Sequence, residues 1–129
     1  MWTLNLPTYI PYGVRKVRNF HLNLNVYRNA SFHQLNDMKI KFAEQVAPLL
    51  TDLPKMEQIR ISYWLITGTK TTPDVANVCC IVDKFFCDVL VKEGVIPDDK
   101  PEYLSMVAFG YGGYDKGNPR VEAVIERLK

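Results

Sequence analysis

Between Val75 and Lys92 the apolar residues Val75, Val78, Cys79, Val82, Phe85, Phe86 and Val89 recur at spacings of three and four. That is the period of a helix burying one broad stripe. Gly94 follows as the stop, because glycine tolerates the left-handed turn that ends helices. A second helical pattern lies upstream in "SFHQLNDMKIKFAEQVAPLLTDL", where Leu35, Met38, Phe42, Val46 and Leu49 or Leu50 share a face. Ser31 is placed to cap it, and Pro54 to end it. "EQIRISYWLIT", Glu57 to Thr67, alternates instead, with Ile59, Ile61 and Tyr63 set against Gln58, Arg60 and Ser62, which predicts a strand. "WTLNLPTYI" reads as a strand that Pro7 confines to an edge or ends early. Residues 11 to 30 mix Gly, Asn and basic residues with aromatics and read as a loop-rich surface. "EYLSMVAFGYGG" and "RVEAVIERL" read as two strands joined into a hairpin by the turn "YDKGNP". The order β, loop, α, β, α, β, β predicts an α/β (α+β) fold, a small mixed sheet with two main helices packed on it.

At 129 residues the chain is the length of one domain with one core, spanning 1-129. Its 47% hydrophobic and 23% charged residues exclude the disordered class. No apolar stretch approaches the roughly 20 residues of a membrane span, and the start lacks the basic and apolar runs of a secretory signal. A cytoplasmic protein with no membrane association is expected. All three cysteines, Cys79, Cys80 and Cys87, fall on the 75–92 helix. Cys80 and Cys87 are about 10 Å apart along the helix axis, and the neighbours Cys79 and Cys80 point to different faces, so no disulfide is expected. They read as buried thiols of a reducing compartment.

The net charge of +2 is uneven: residues 1 to 60 carry eight Lys/Arg against four Asp/Glu, whereas residues 61 to 129 carry eight against ten. Seven of the fourteen acids lie between Asp74 and Glu102, so a basic region adjoins a local cluster of carboxylates. A metal-dependent nuclease needs both, cations for phosphates and acids for the metal. Asp74 opens the long helix, where a carboxylate is also the preferred cap. On 100° steps Asn77, Lys84 and Asp88 lie within about 40° of one another, and Asp83 points about 120° away from Asn77. That line is either a solvated edge or the wall of a polar pocket shared with Asp74 and the turn "PDD". Mg²⁺ takes oxygen ligands, keeps several waters and needs few carboxylates, so two or three aspartates and a lysine would suffice.

The stretch "PDVANVCCIVDKFFCDVLVKEGVIPDD" resembles the central motif of the RusA-type Holliday junction resolvases: Asp-x-Asp-Asn, a helix bearing a lysine, then a glycine-containing turn ending in Asp-Asp. The strand "QIRISYWL" before it, "YDKGNPRVEAVI" after it and the upstream "LNLNVYRN" match in order, so the likeness covers nearly the whole chain. It implies a small, phage-like, homodimeric, Mg²⁺-dependent endonuclease that nicks opposed strands of four-way DNA junctions in recombination and repair. Carried over by position, it implies Asp74, Lys84 and Asp99 as catalytic residues, Asp74, Asp98 and Asp99 as metal ligands, and Asn77 in support. For DNA contacts it implies the basic N-terminal segment, where Arg15, Lys16, Arg18 and Arg28 offer phosphate partners, interleaved with Tyr12, Phe20 and Tyr27 as stacking faces. Two positions depart from the pattern. Ala76 stands where the family has its second aspartate, with Asp98 favoured over Asp83 as the substitute because Asp83 points elsewhere on the helix, and Lys84 lies one helical turn farther along. Ala76 leaves open an alternative, a branched-DNA-binding protein that keeps the fold without cutting. A third reading is an interaction module using the helix face around Cys80 and Cys87.

Overall fold

The computed structural model describes residues 1–71 and 73–129; Thr72, in the expected turn "GTKTTPD", lies outside the described residues. Along the chain run β1 (Trp2–Leu6), β2 (Tyr9–Tyr12), β3 (Arg18–His21), α1 (Leu24–Asn29), α2 (Phe32–Val46), a 3₁₀ turn (Ala47–Leu50), β4 (Ile59–Thr67), α3 (Val75–Lys92), β5 (Leu104–Tyr114) and β6 (Arg120–Arg127). The main sheet has the order β1-β6-β4-β5, and β2 pairs with β3 as a separate ribbon. β4 is parallel to β5, with α3 as the crossover between them, and antiparallel to β6, which is antiparallel to β1. The mixed α+β fold is the one the sequence predicts.

β4 takes the centre because it is the strand with the largest buried face. Ile59, Ile61, Tyr63 and Leu65 point to the helices and are buried beside Val121, Ala123 and Ile125 of β6. α3 lays Cys79, Val82 and Phe86 on this face, and α2 closes the core with Met38, Phe42 and Val46. Phe42 meets Phe85 edge to face at 5.6 Å between ring centroids, and Tyr63 meets Phe86 likewise at 6.3 Å, the geometry aromatic quadrupoles favour. Ser31 caps α2 by accepting from the Gln34 N–H. Gly94 adopts a left-handed φ of 75° just past α3, as its position in the sequence requires.

Three expectations are corrected. β5 and β6 are not a hairpin, since β4 lies between them. Their link folds over the end of β4, where the Asp115 N–H donates to the Thr67 carbonyl at 2.9 Å and the Gly117 N–H to that of Gly68 at 3.0 Å. Skipping one strand means crossing about 10 Å, which a five-residue link does easily. The segment read as loop holds the β2–β3 ribbon and α1, with Phe20 and Leu22 in the core. Strands of four residues are too short for alternation to register. α2 also stops at Val46 rather than near Pro54, because Pro48 lacks an N–H and its ring conflicts with the helical carbonyl four residues back.

No helix among the described residues is long and apolar enough to cross a membrane.

Candidate functional site

Asp74 is exposed and caps α3, its side chain accepting from the Ala76 N–H at 3.0 Å. One turn on, Asn77 is half-buried, and Lys84 projects from mid-helix into solvent. Asp88, on the same line, lies 3.9 Å from Lys39 of α2. At the other end of the helix the chain reverses at Gly94. The reversal is pinned by the Val95 N–H donating to the Leu90 carbonyl and the Met56 N–H donating to that of Val95. Asp98 and Asp99 follow this turn. The Asp98 Oδ1 accepts the Asp99 N–H at 2.8 Å and Oδ2 lies 3.7 Å from the Lys100 ammonium. The Asp99 N–H first, then Lys100, hold the Asp98 carboxyl below its usual range.

These residues do not converge within one chain. Asp99 is close enough to Cys87 to bias that thiol electrostatically, whereas Asp74 sits at the opposite end of α3. Thirteen residues of helix separate Asp74 from Cys87, about 20 Å at 1.5 Å per residue. Carboxylates sharing a Mg²⁺ each reach it at about 2.1 Å. Among the described residues no group of three or more His, Cys, Asp or Glu could hold a metal ion. A single copy therefore does not fit the metal centre implied by the resemblance. Ala76, exposed in the first turn of α3, contributes no ligand.

The chain instead assembles a polar cluster at Asp83. Its Oδ1 accepts a 2.6 Å hydrogen bond from the Tyr63 hydroxyl and the thiol of Cys87 at 3.2 Å. Tyr63 and Cys87 are buried and Asp83 half-buried. Burial raises the Tyr63 phenol well above its ordinary value, with the charges of Cys87 and Asp83 adding to it. Burial and then Asp83 push the Cys87 thiol up in the same way, and burial pushes Cys79 up to about 12. All three are thus protonated and unreactive at neutral pH. The spacing of Asp83 and Cys87, four apart on the helix, together with a tyrosine on the buried face of β4, was the signal for this cluster. The helical wheel gave only the direction of Asp83.

The basic residues are displayed as expected. Arg15, Lys16 and Arg18 are exposed on the β2–β3 ribbon, whose turn begins at Gly13 with φ 103°, and Arg28 is exposed in the last turn of α1. The aromatics are less available. Phe20 is buried in the core, and Tyr12 and Tyr27 are half-buried against it. In their place the ribbon tip exposes Val14 and Val17 beside Arg15 and Lys16, an apolar-and-basic combination the sequence reading passed over.

No protein-family model matches the chain, and no curated protein matches it in sequence.

Proposed function

We propose that this chain is a Mg²⁺-dependent endonuclease directed to four-way DNA junctions, acting as a homodimer in which each cutting site draws on both copies. The observation that carries the reading is the placement of the motif's carboxylates. Asp74 and Asn77 mark one end of α3, and Asp98 and Asp99 the other, with the exposed Lys84 between them. The two ends are too far apart to share an ion in one chain. They meet if two copies lie with their α3 helices antiparallel, so that Asp74 of one copy faces Asp99 of the other. Two such sites, related by a two-fold axis, suit paired nicks in opposed strands. The exposed Arg15, Lys16 and Arg18 supply phosphate contacts.

The test is cutting of a labelled four-way junction, with a linear duplex as control, in Mg²⁺ or EDTA. Asp74→Asn and Asp99→Asn chains are each expected to be inactive. Mixed, they form heterodimers with one site intact and one doubly altered, so single-strand nicking returns. If the separate variants cut at the wild-type rate, the proposed roles of Asp74 and Asp99 are wrong; if the mixture stays dead, the shared site is wrong. A second reading, junction binding without cutting, is favoured by Ala76 in place of a carboxylate. Tight binding with no nicks in any divalent metal would establish it.

A further inference from the structure

A cleft of about 300 Å³ opens at the carboxyl end of β4, where the parallel β4–α3–β5 unit turns from strand to helix. Crevices at such strand ends are where open α/β sheets bind their ligands. The base of the β2–β3 ribbon forms the opposite wall, through Thr8 and His21. Backbone hydrogen bonds pin both walls. The Thr67 and Gly68 carbonyls accept the N–H groups of Asp115 and Gly117 at 2.9 and 3.0 Å, and the Thr8 carbonyl accepts that of Leu22 at 2.9 Å. Pro119 packs so closely on Gly68 that a β-carbon there would lie 2.7 Å from its ring. The cleft is thus preformed, and its volume falls at the lower end of the range for small-molecule sites.

Its floor is apolar, made by the buried Leu22, Ile66 and Val78. Its rim is polar but uncharged. Thr69 and Thr71 are exposed on one side and His21 on the other, and none of the described residues lining the cleft is Asp, Glu, Lys or Arg. Asn23 adds a directed donor: its carboxamide oxygen accepts the Val26 N–H at 2.9 Å, which leaves the NH₂ group for a ligand. A charged ligand would lose water here and find no counter-charge. A neutral ring with flat apolar faces, and with donors and acceptors around its edge, matches both floor and rim. A nucleobase is such a ring, and proteins hold single bases by this combination of apolar faces and edge hydrogen bonds.

We infer that the cleft takes a single unpaired nucleobase, its faces on the apolar floor and its edge bonded by the threonine hydroxyls, His21 and Asn23. The surroundings suit a base that is still part of a strand. Lys70, between Thr69 and Thr71 on the lip, is exposed and is placed to meet the phosphate that such a base carries. The ribbon that forms the far wall bears Arg15, Lys16 and Arg18, all exposed. Taking a base out of its stack costs least where it is already unpaired. Pro73, also on the lip, is followed directly by Asp74, so a strand anchored here passes the carboxylate proposed as a metal ligand. That consequence rests on the nuclease reading; the fit of a base to the cleft does not.

NMR of the two histidines, in EDTA, tests the inference. His21 lines the cleft, whereas His33 is exposed on α2, which contributes nothing to it, so His33 is an internal control. Titration with thymidine, adenosine or a single-stranded oligothymidylate is expected to shift the His21 ring protons saturably and leave those of His33 in place. Thr71→Trp fills the mouth from an exposed position and is expected to weaken each probe about tenfold or more with unchanged circular dichroism. Tighter binding of the oligothymidylate than of thymidine supports a strand as the source of the base; equal affinities overturn the strand and leave a free nucleoside as the ligand. His21 unmoved by every probe overturns the inference. So do shifts shared equally by His33, or a folded Thr71→Trp protein that binds as the wild type does. A filled cleft in a protein that cuts no junction removes the nuclease reading and leaves the base site standing, whereas cutting by a protein whose His21 ignores every probe does the reverse.

Discussion

Replacing Asp83 by alanine removes the acceptor for a hydroxyl that water does not reach. Tyr63 is wholly buried, and its 2.6 Å bond to Asp83 is short enough to be charge-assisted. A buried donor left without a partner costs about 1–3 kcal/mol, so Asp83→Ala is expected to destabilise the fold by about 2–3 kcal/mol. Tyr63→Phe removes the hydroxyl instead. Asp83 keeps the Cys87 thiol and, being half-buried, gains water, so this change costs about 1 kcal/mol. The double variant has no orphaned hydroxyl and should cost less than the sum of the singles by about 1–2 kcal/mol. Urea unfolding of the four proteins, followed by tryptophan fluorescence, gives the coupling directly. Trp64, next to Tyr63 in β4, is a reporter on the spot. Additivity within about 0.5 kcal/mol, or an Asp83→Ala cost below that, would refute the account of the cluster.

Raising the pH should destabilise the protein, because Tyr63, Cys79 and Cys87 all have folded pKa values above their unfolded ones. The thiols' contribution is full below their unfolded value of 9.0 and is lost as pH rises beyond it, at about 1.4 kcal/mol per unit for each thiol, with Tyr63 following only above 10.0. With both thiols fully buried the loss approaches 3 kcal/mol by pH 10; flat stability from pH 7 to 10 in urea titrations would contradict it. Gly110→Ala would bring a methyl within 2.5 Å of the Trp64 ring, so the half-open indole should swing outward and its emission shift to the red, at a cost of about 1 kcal/mol; unchanged emission would show that the ring does not rest on this glycine. If the chain binds DNA as proposed, Lys16→Ala/Arg18→Ala, both exposed, should weaken binding to every DNA sequence alike and lower the salt slope of log affinity by about 2. An unaltered slope would remove the ribbon from the DNA surface. Phe42→Ala, in the core with its ring against Phe85, should cost about 3–5 kcal/mol in the same unfolding assay.

The elements visible in the sequence were those that carry a long one-sided pattern. α3, α2 and β4 each bury a face long enough for period to register, and Ser31, Asp74 and Gly94 punctuate them as side-chain chemistry requires. The β2–β3 ribbon and α1 are too short for that. The insertion of β4 between β5 and β6 is a fact of pairing, which alternation along a strand does not encode. At the site, the caps and the exposed basic residues could be read locally. Much of the separation of Asp74 from Asp99 follows from the helix between them, about 20 Å from Asp74 to Cys87, near which Asp99 lies. The helix length was computable from the sequence, whereas the return of the chain past Gly94 that sets Asp99 near Cys87 was not. Asp83 was set aside because its wheel angle left the line of Asn77, and that same angle aims it at Tyr63.

The first strand of the chain pairs with the last: Trp2 lies opposite Ile125 and Leu6 opposite Val121. Emerging from the ribosome, β1 thus has no sheet to join until nearly all the remaining residues have been made. Parallel pairing of β4 with β5 likewise waits for the whole of α3. Contacts so distant in sequence make for slow folding, and Leu4 and Leu6 stay uncovered meanwhile. Apolar residues left uncovered through slow pairing favour aggregation of the unfolded chain. Because β1 begins beside the end of β6, a circular permutant joining Lys129 to Met1 through a short linker would turn the slowest pairing into a local one.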